Sequence, residues 1–130
     1  MYQATLKDGQ AIAIPSWPID VALENLTHAG KYLGTEYVIK MAELAEDGSV
    51  NTAMVIVAIM ESQEPKLCAS IIKQFVCQAR ISGNKIEPGT IDNMFDNNLS
   101  IVTELFAHVI HAQYSDFFVS GLAKAHSPSK

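Results

Sequence analysis

Apolar residues recur along this chain at two spacings, and the change between them divides it. Near the N-terminus, Tyr2-Gln3-Ala4-Thr5-Leu6-Lys7 and Gln10-Ala11-Ile12-Ala13-Ile14 flank Asp8-Gly9. Two short runs around Asp-Gly are a strong local hairpin signal, and Ile12 and Ile14 share one face of the second strand. A two-stranded ribbon is marginal alone, so this one is expected to pack on helices or to be joined by a partner's strand.

From Ser16-Trp17-Pro18 onward the spacing is helical. Ile19, Ala22, Leu23, Leu26, Gly30 and Leu33 form one stripe, opposite Asp20, Glu24 and Lys31, and Gly34 stops the helix. Thr35 is expected to cap a second helix with Tyr37, Val38, Met41, Leu44 and Ala45 on one face, closed by Asp47-Gly48. Ser49 to Gln63 has a centre that is apolar all round, Ala53 to Met60, and its length predicts a buried central helix. Pro65 starts an amphipathic helix whose inner face is Leu67, Cys68, Ile71, Ile72, Phe75, Val76 and Ala79, with Cys77 and Arg80 opposite and Gly83 at its end. After the Glu87-Pro88-Gly89 turn, Thr90 caps a short helix through Phe95. Beyond Asn97-Asn98 a long helix carries Leu99, Val102, Leu105, Phe106, Val109 and Ile110 to about Phe118, with Gly121 as its stop.

The pattern predicts a mainly α fold, an N-terminal two-stranded β-hairpin packed on a compact bundle of about five to six helices. Residues 1–122 are read as a single helical domain and 123–130 as a disordered tail. At 130 residues, 48% of them hydrophobic, the chain can build a core without staples. Nine Lys and Arg against fourteen Asp and Glu leave a net charge of -5, with the cations scattered, which argues against a nucleic-acid partner. Neither the N-terminus nor the longest apolar run has the character of a signal peptide or a membrane span, so no membrane partner is expected and a cytosolic location is the default.

Few residues suggest chemistry. Cys68 and Cys77 fall on opposite faces of one helix and are expected to be free thiols. Glu104, His108 and His111, at spacings of four and three, share one helical face and are the best metal candidates. That face lies opposite the Val102, Leu105, Phe106 and Val109 stripe and is predicted to meet solvent, where an unsupported trio binds metal poorly. No metal, cofactor or catalytic residue is therefore assigned. The aromatic residues are more informative. Trp17 at the hairpin–helix junction is read as a core anchor, or else as an exposed binding hot spot. Tyr114, Phe117 and Phe118, at i, i+3 and i+4, either pack inward or form a patch for an amphipathic partner helix.

The hairpin feeding into Val21-Ala22-Leu23-Glu24-Asn25-Leu26-Thr27-His28-Ala29-Gly30-Lys31-Tyr32-Leu33-Gly34 resembles the opening of small tail assembly chaperones of tailed bacteriophages. The second half, with Phe95-Asp96-Asn97-Asn98-Leu99, the long helix and Tyr114-Ser115-Asp116-Phe117-Phe118, is similar to theirs, although Gln113 stands where the resemblance leads one to expect Asn. The resemblance implies a non-catalytic assembly factor in the host cytoplasm that binds the tape measure protein and helps recruit the tail tube protein. If exposed, Trp17, Tyr114, Phe117 and Phe118 are the partner-binding residues, and an unpaired hairpin edge would invite a homo-oligomer, as a ring or filament. A structural or adaptor protein of the tail or baseplate is the alternative, and a metal enzyme using Glu104, His108 and His111 a third reading.

Overall fold

The computed structural model describes residues 1–43, 50–96 and 98–126, with side chains left aside at Pro88 and 119–126. The expectations placed on Leu44, Ala45, Asp47, Gly48, Ser49 and Asn97, and on 127–130, lie outside the described residues.

The hairpin forms as expected. β1 (Tyr2–Thr5) pairs antiparallel with β2 (Ala11–Ile14), with Ala4 opposite Ile12. The Leu6 N–H donates to the Gln10 carbonyl and the Gly9 N–H to the Leu6 carbonyl, both at 2.9 Å. Gly9 has φ +94°, a conformation that an L side chain adopts only under strain.

Six helices follow among the described residues: α1 (Ile19–Leu33), α2 (Thr35–Ala42), α3 (Thr52–Glu61), α4 (Pro65–Val76), α5 (Ile91–Phe95) and α6 (Leu99–His126). Gly34, at φ +96°, ends α1, and a Cβ there would lie 3.1 Å from the Tyr37 ring. Pro65 opens α4, where its missing N–H costs nothing. Asn51 caps α3 by accepting from the Met54 N–H at 3.3 Å. Thr35 and Thr90 do not cap as expected. Thr35 is already the first residue of α2, and the Thr90 hydroxyl donates to the Glu87 carbonyl behind it.

Three readings are corrected. First, α4 ends at Val76, and the chain then builds a second hairpin, β3 (Arg80–Ile81) and β4 (Asn84–Lys85). It joins the first in one antiparallel sheet of order β1-β2-β3-β4, with Ile12 opposite Ile81. Second, α3 is not the central helix. It packs on α2 and α6 through Val55 and Ala58 and leaves Ile56, Ile59 and Met60 exposed. Third, α6 takes the central place, packing against α2, α3, α4 and α5, and its backbone stays helical through Gly121 to His126. From Glu104 to His111 every residue of α6 is buried. Its partners surround it, so no face between these positions reaches water.

Candidate functional site

The predicted metal trio shows what central placement does. Glu104, His108 and His111 are 8%, 3% and 9% exposed, so the expected solvent-facing ridge is interior. The hairpin covers it on one side and α2 on the other. The Glu104 carboxylate accepts the Lys7 backbone N–H at 3.2 and 3.1 Å. The Tyr2 hydroxyl is hydrogen-bonded to His108 Nδ1 at 2.9 Å, and His108 Nε2 lies 3.9 Å from Glu104 Oε2. His111 uses Nδ1 toward the Ala42 carbonyl, a bond in which the imidazole must donate. Each polar group is thus engaged in fastening other elements to α6. Among the described residues, no three side chains of ligating type converge as a metal site.

Burial, with His111 as a lesser contributor, lowers the His108 pKa to about 4 and keeps the ring neutral. It also raises the pKa of the Tyr2 phenol. Cys68 and Cys77 are free and both buried, Cys77 against the expectation that it faces outward. Burial raises both thiols, the reverse of what a nucleophile requires.

The aromatic residues are joined in a way the sequence left open. Ring centroids run from Phe106 to Phe75 at 5.4 Å, to Trp17 at 5.0 Å, to Tyr114 at 6.1 Å and to Phe118 at 6.3 Å. Phe117 stands 5.4 Å from Phe118 at the outer end. Trp17 and Tyr114 are buried and belong to the core, the first of the two readings open for each. The Tyr114 hydroxyl donates to the Ala22 carbonyl at 2.7 Å, and burial raises its pKa. Gln113 spans the junction, accepting from the Trp17 N–H at 3.1 Å and donating to the Pro15 carbonyl at 2.8 Å. Of the four predicted contact residues, only Phe117, 56% exposed, and the half-buried Phe118 present a surface.

That surface continues along α1. At 100° per residue, Ala22, Asn25, Ala29 and Leu33 form one line, and this line faces the core. Ile19, Leu23, Leu26 and Gly30 form a second line about 90° around the helix. Ile19 and Leu23 are 80% and 54% exposed, while Leu26 and Gly30 are half-buried beside Phe118. The apolar stripe of α1 is therefore wider than the core needs. Its surplus runs about 16 Å into a groove of about 310 Å³ lined by Leu26, Thr27, Gly30, Lys31, Thr35, Val38 and Phe118. Sequence reading found the stripe but assigned all of it inward. The signal for two lines was the buried polar Asn25 beside Leu26, held by Gln74 at 3.3 Å.

The arrangement offers an apolar track for another chain. Among the described residues no helix is long and apolar enough to cross a membrane. A protein-family model described as phage tail assembly chaperone protein, TAC, matches residues 8–125. Among curated proteins and among solved structures, none matches.

Proposed function

Because the chain belongs to the phage tail assembly chaperone family, we propose that it shields an amphipathic helical segment of the tape measure protein in the host cytoplasm and hands it on to the tail tube protein. The observation that carries this reading is the uncovered line of Ile19 and Leu23 leading to the groove at Phe118 and Phe117. A helix laid along it would engage apolar positions at i, i+3, i+4 and i+7, the usual mode for a helix in a groove. Trp17 and Tyr114 act from behind, holding α1 and the end of α6 in register. The role is one of binding, with no bond made or broken.

The test is co-purification of a tagged chain from infected cells, set beside the composition of mature particles. A long helical tape-measure protein in the pull-down, lost on Leu23→Glu, with the chain absent from particles, is the expected result. Stoichiometric presence of the chain in particles would overturn it and favour a structural tail or baseplate protein.

A further inference from the structure

The apolar track along α1 has a rim, and the charges of that rim are ordered. Each residue of the track is followed in sequence by one of the rim, so Ile19, Leu23, Leu26 and Gly30 are bordered by Asp20, Glu24, Thr27 and Lys31. The rim row lies about 100° around the helix from the track, and all four of its members are exposed. From the N-terminus of α1 it runs acidic, acidic, neutral, basic. Thr27 and Lys31 line the groove at Phe118, which sets this row at the mouth of the track. Among the described residues, none of Asp20, Glu24 and Lys31 is held in an ion pair, and the Lys31 ammonium rests 5.4 Å from the centre of the Tyr32 ring.

Among the described side chains, the other charges on the walls of the groove are turned from it. Glu36 stands two positions from Val38 on α2, and Asp116 two positions from Phe118 on α6, each about 160° around its helix from that wall residue. His28 lies on the far side of α1, beside Tyr32. The rim order also suits α1 itself, whose dipole favours Asp20 in its first turn and Lys31 in its last. That effect fades within one turn, so it does not account for Glu24.

We infer that the track takes a helix running antiparallel to α1, with acidic residues of its first turn against Lys31 and basic residues of its last turn against Asp20 and Glu24. This rests on the reading of the track as the groove for a partner segment, and names the charge order and direction of that segment. Complementarity places the partner's cations at the Ile19 end and its anions at the Phe118 end. A helix most readily carries anions at its N-terminus and cations at its C-terminus, so that placement turns it antiparallel to α1. Three turns, about 11 residues, cover the track. Each rim pair adds little to affinity, but a reversed order sets like charges together at every position. The rim therefore selects orientation, while Leu23 and Phe118 supply the attraction.

The test uses the full chain and two synthetic peptides of about 14 residues, four helical turns. Both carry Leu at the same i, i+3, i+4 and i+7 positions. One has Glu in its first turn and Lys in its last, and the other has these exchanged. In fluorescence anisotropy at low salt, the first is expected to bind at least about fivefold tighter. In a chain with Asp20→Lys, Glu24→Lys and Lys31→Glu the preference should reverse, and comparing the two chains cancels any difference in the peptides' own helicity. Glu24→Lys alone, outside the first turn of α1, should shrink the preference, and it serves if the triple variant fails to fold. At roughly 1 M salt the preference should fade while binding persists, and Leu23→Glu should abolish the binding of both peptides. Equal affinities, or the same preference in both chains, overturn this inference and leave the groove standing. If neither peptide binds, or binding survives Leu23→Glu, the groove reading falls and this inference with it. A concentration-dependent dimer lost on Leu23→Glu overturns both as well, because a second copy then fills the track.

Discussion

The Tyr2 hydroxyl meets Nδ1 of His108 across 106 positions of sequence, at 2.9 Å. This contact and the Glu104–Lys7 bond join the hairpin to the central helix through polar groups that are largely withdrawn from water. It also makes the fold sensitive to acid. In the unfolded chain His108 takes up a proton near pH 6.5, but in the folded chain only near pH 4. Between those values the unfolded state holds more protons, so stability is fully present above about pH 6.5 and declines as pH falls toward 4. The loss from this residue alone reaches up to about 3 kcal/mol, a sizeable part of a small domain's stability. Urea unfolding at pH 7 and pH 4.5 should show the fall. His108→Gln should flatten it.

Removing the Glu104 carboxylate should loosen the same junction. Glu104→Ala leaves the Lys7 N–H without its acceptor and is expected to cost about 1–3 kcal/mol. Hydrogen exchange at Lys7 should accelerate more than at Phe75, in the middle of α4. Equal protection at Lys7 in both proteins would show that water replaces the carboxylate without loss.

The two ends of the aromatic series should respond differently. Phe106 is completely buried, and Phe106→Ala is expected to cost about 3–5 kcal/mol. Phe117→Ala removes a ring already more than half in water and should cost under about 1 kcal/mol. Its effect should appear instead as lost capture of the tape measure protein. Thermal unfolding paired with pull-down separates the two roles.

The second hairpin turns through Ser82 at φ +50° and Gly83 at φ +82°, both in the left-handed region. Asn tolerates that conformation better than Ser, so Ser82→Asn is expected to stabilise by a few tenths of a kcal/mol. Gly83→Ala meets no atom within 4 Å, so its cost of about 1 kcal/mol should come from the backbone alone. Denaturant midpoints with unchanged slopes would establish both.

Strong local chemistry made most elements legible. Asp8-Gly9, Pro65 and Gly34 each mark a boundary that the structure keeps. The second hairpin was signalled by Ser82-Gly83 between Ile81 and Ile86, but two-residue strands carry too little alternation to compete with the α4 periodicity beside them. The roles of α3 and α6 were exchanged for a different reason. Composition ranks α3 as the more buried, yet burial depends on how many neighbours surround a helix, and α6 has neighbours on every side between Glu104 and His111. Glu104, His108 and His111 look like a solvated face only if each helix is read by itself. The proposed partner surface was half visible, since the α1 stripe was plain but the part of it left uncovered is a tertiary outcome.

The central helix also sets a timetable. The hairpin is made well before the helix it is fastened to: His108 is translated 106 residues after Tyr2, which at about 5–20 residues per second is a delay of about 5–20 s. Throughout that interval Tyr2 lacks the α6 partner that it bonds in the folded chain, although β1 already has β2 beside it. An element made early is therefore fastened late, because its polar bonds to the central helix wait for Glu104 and His108.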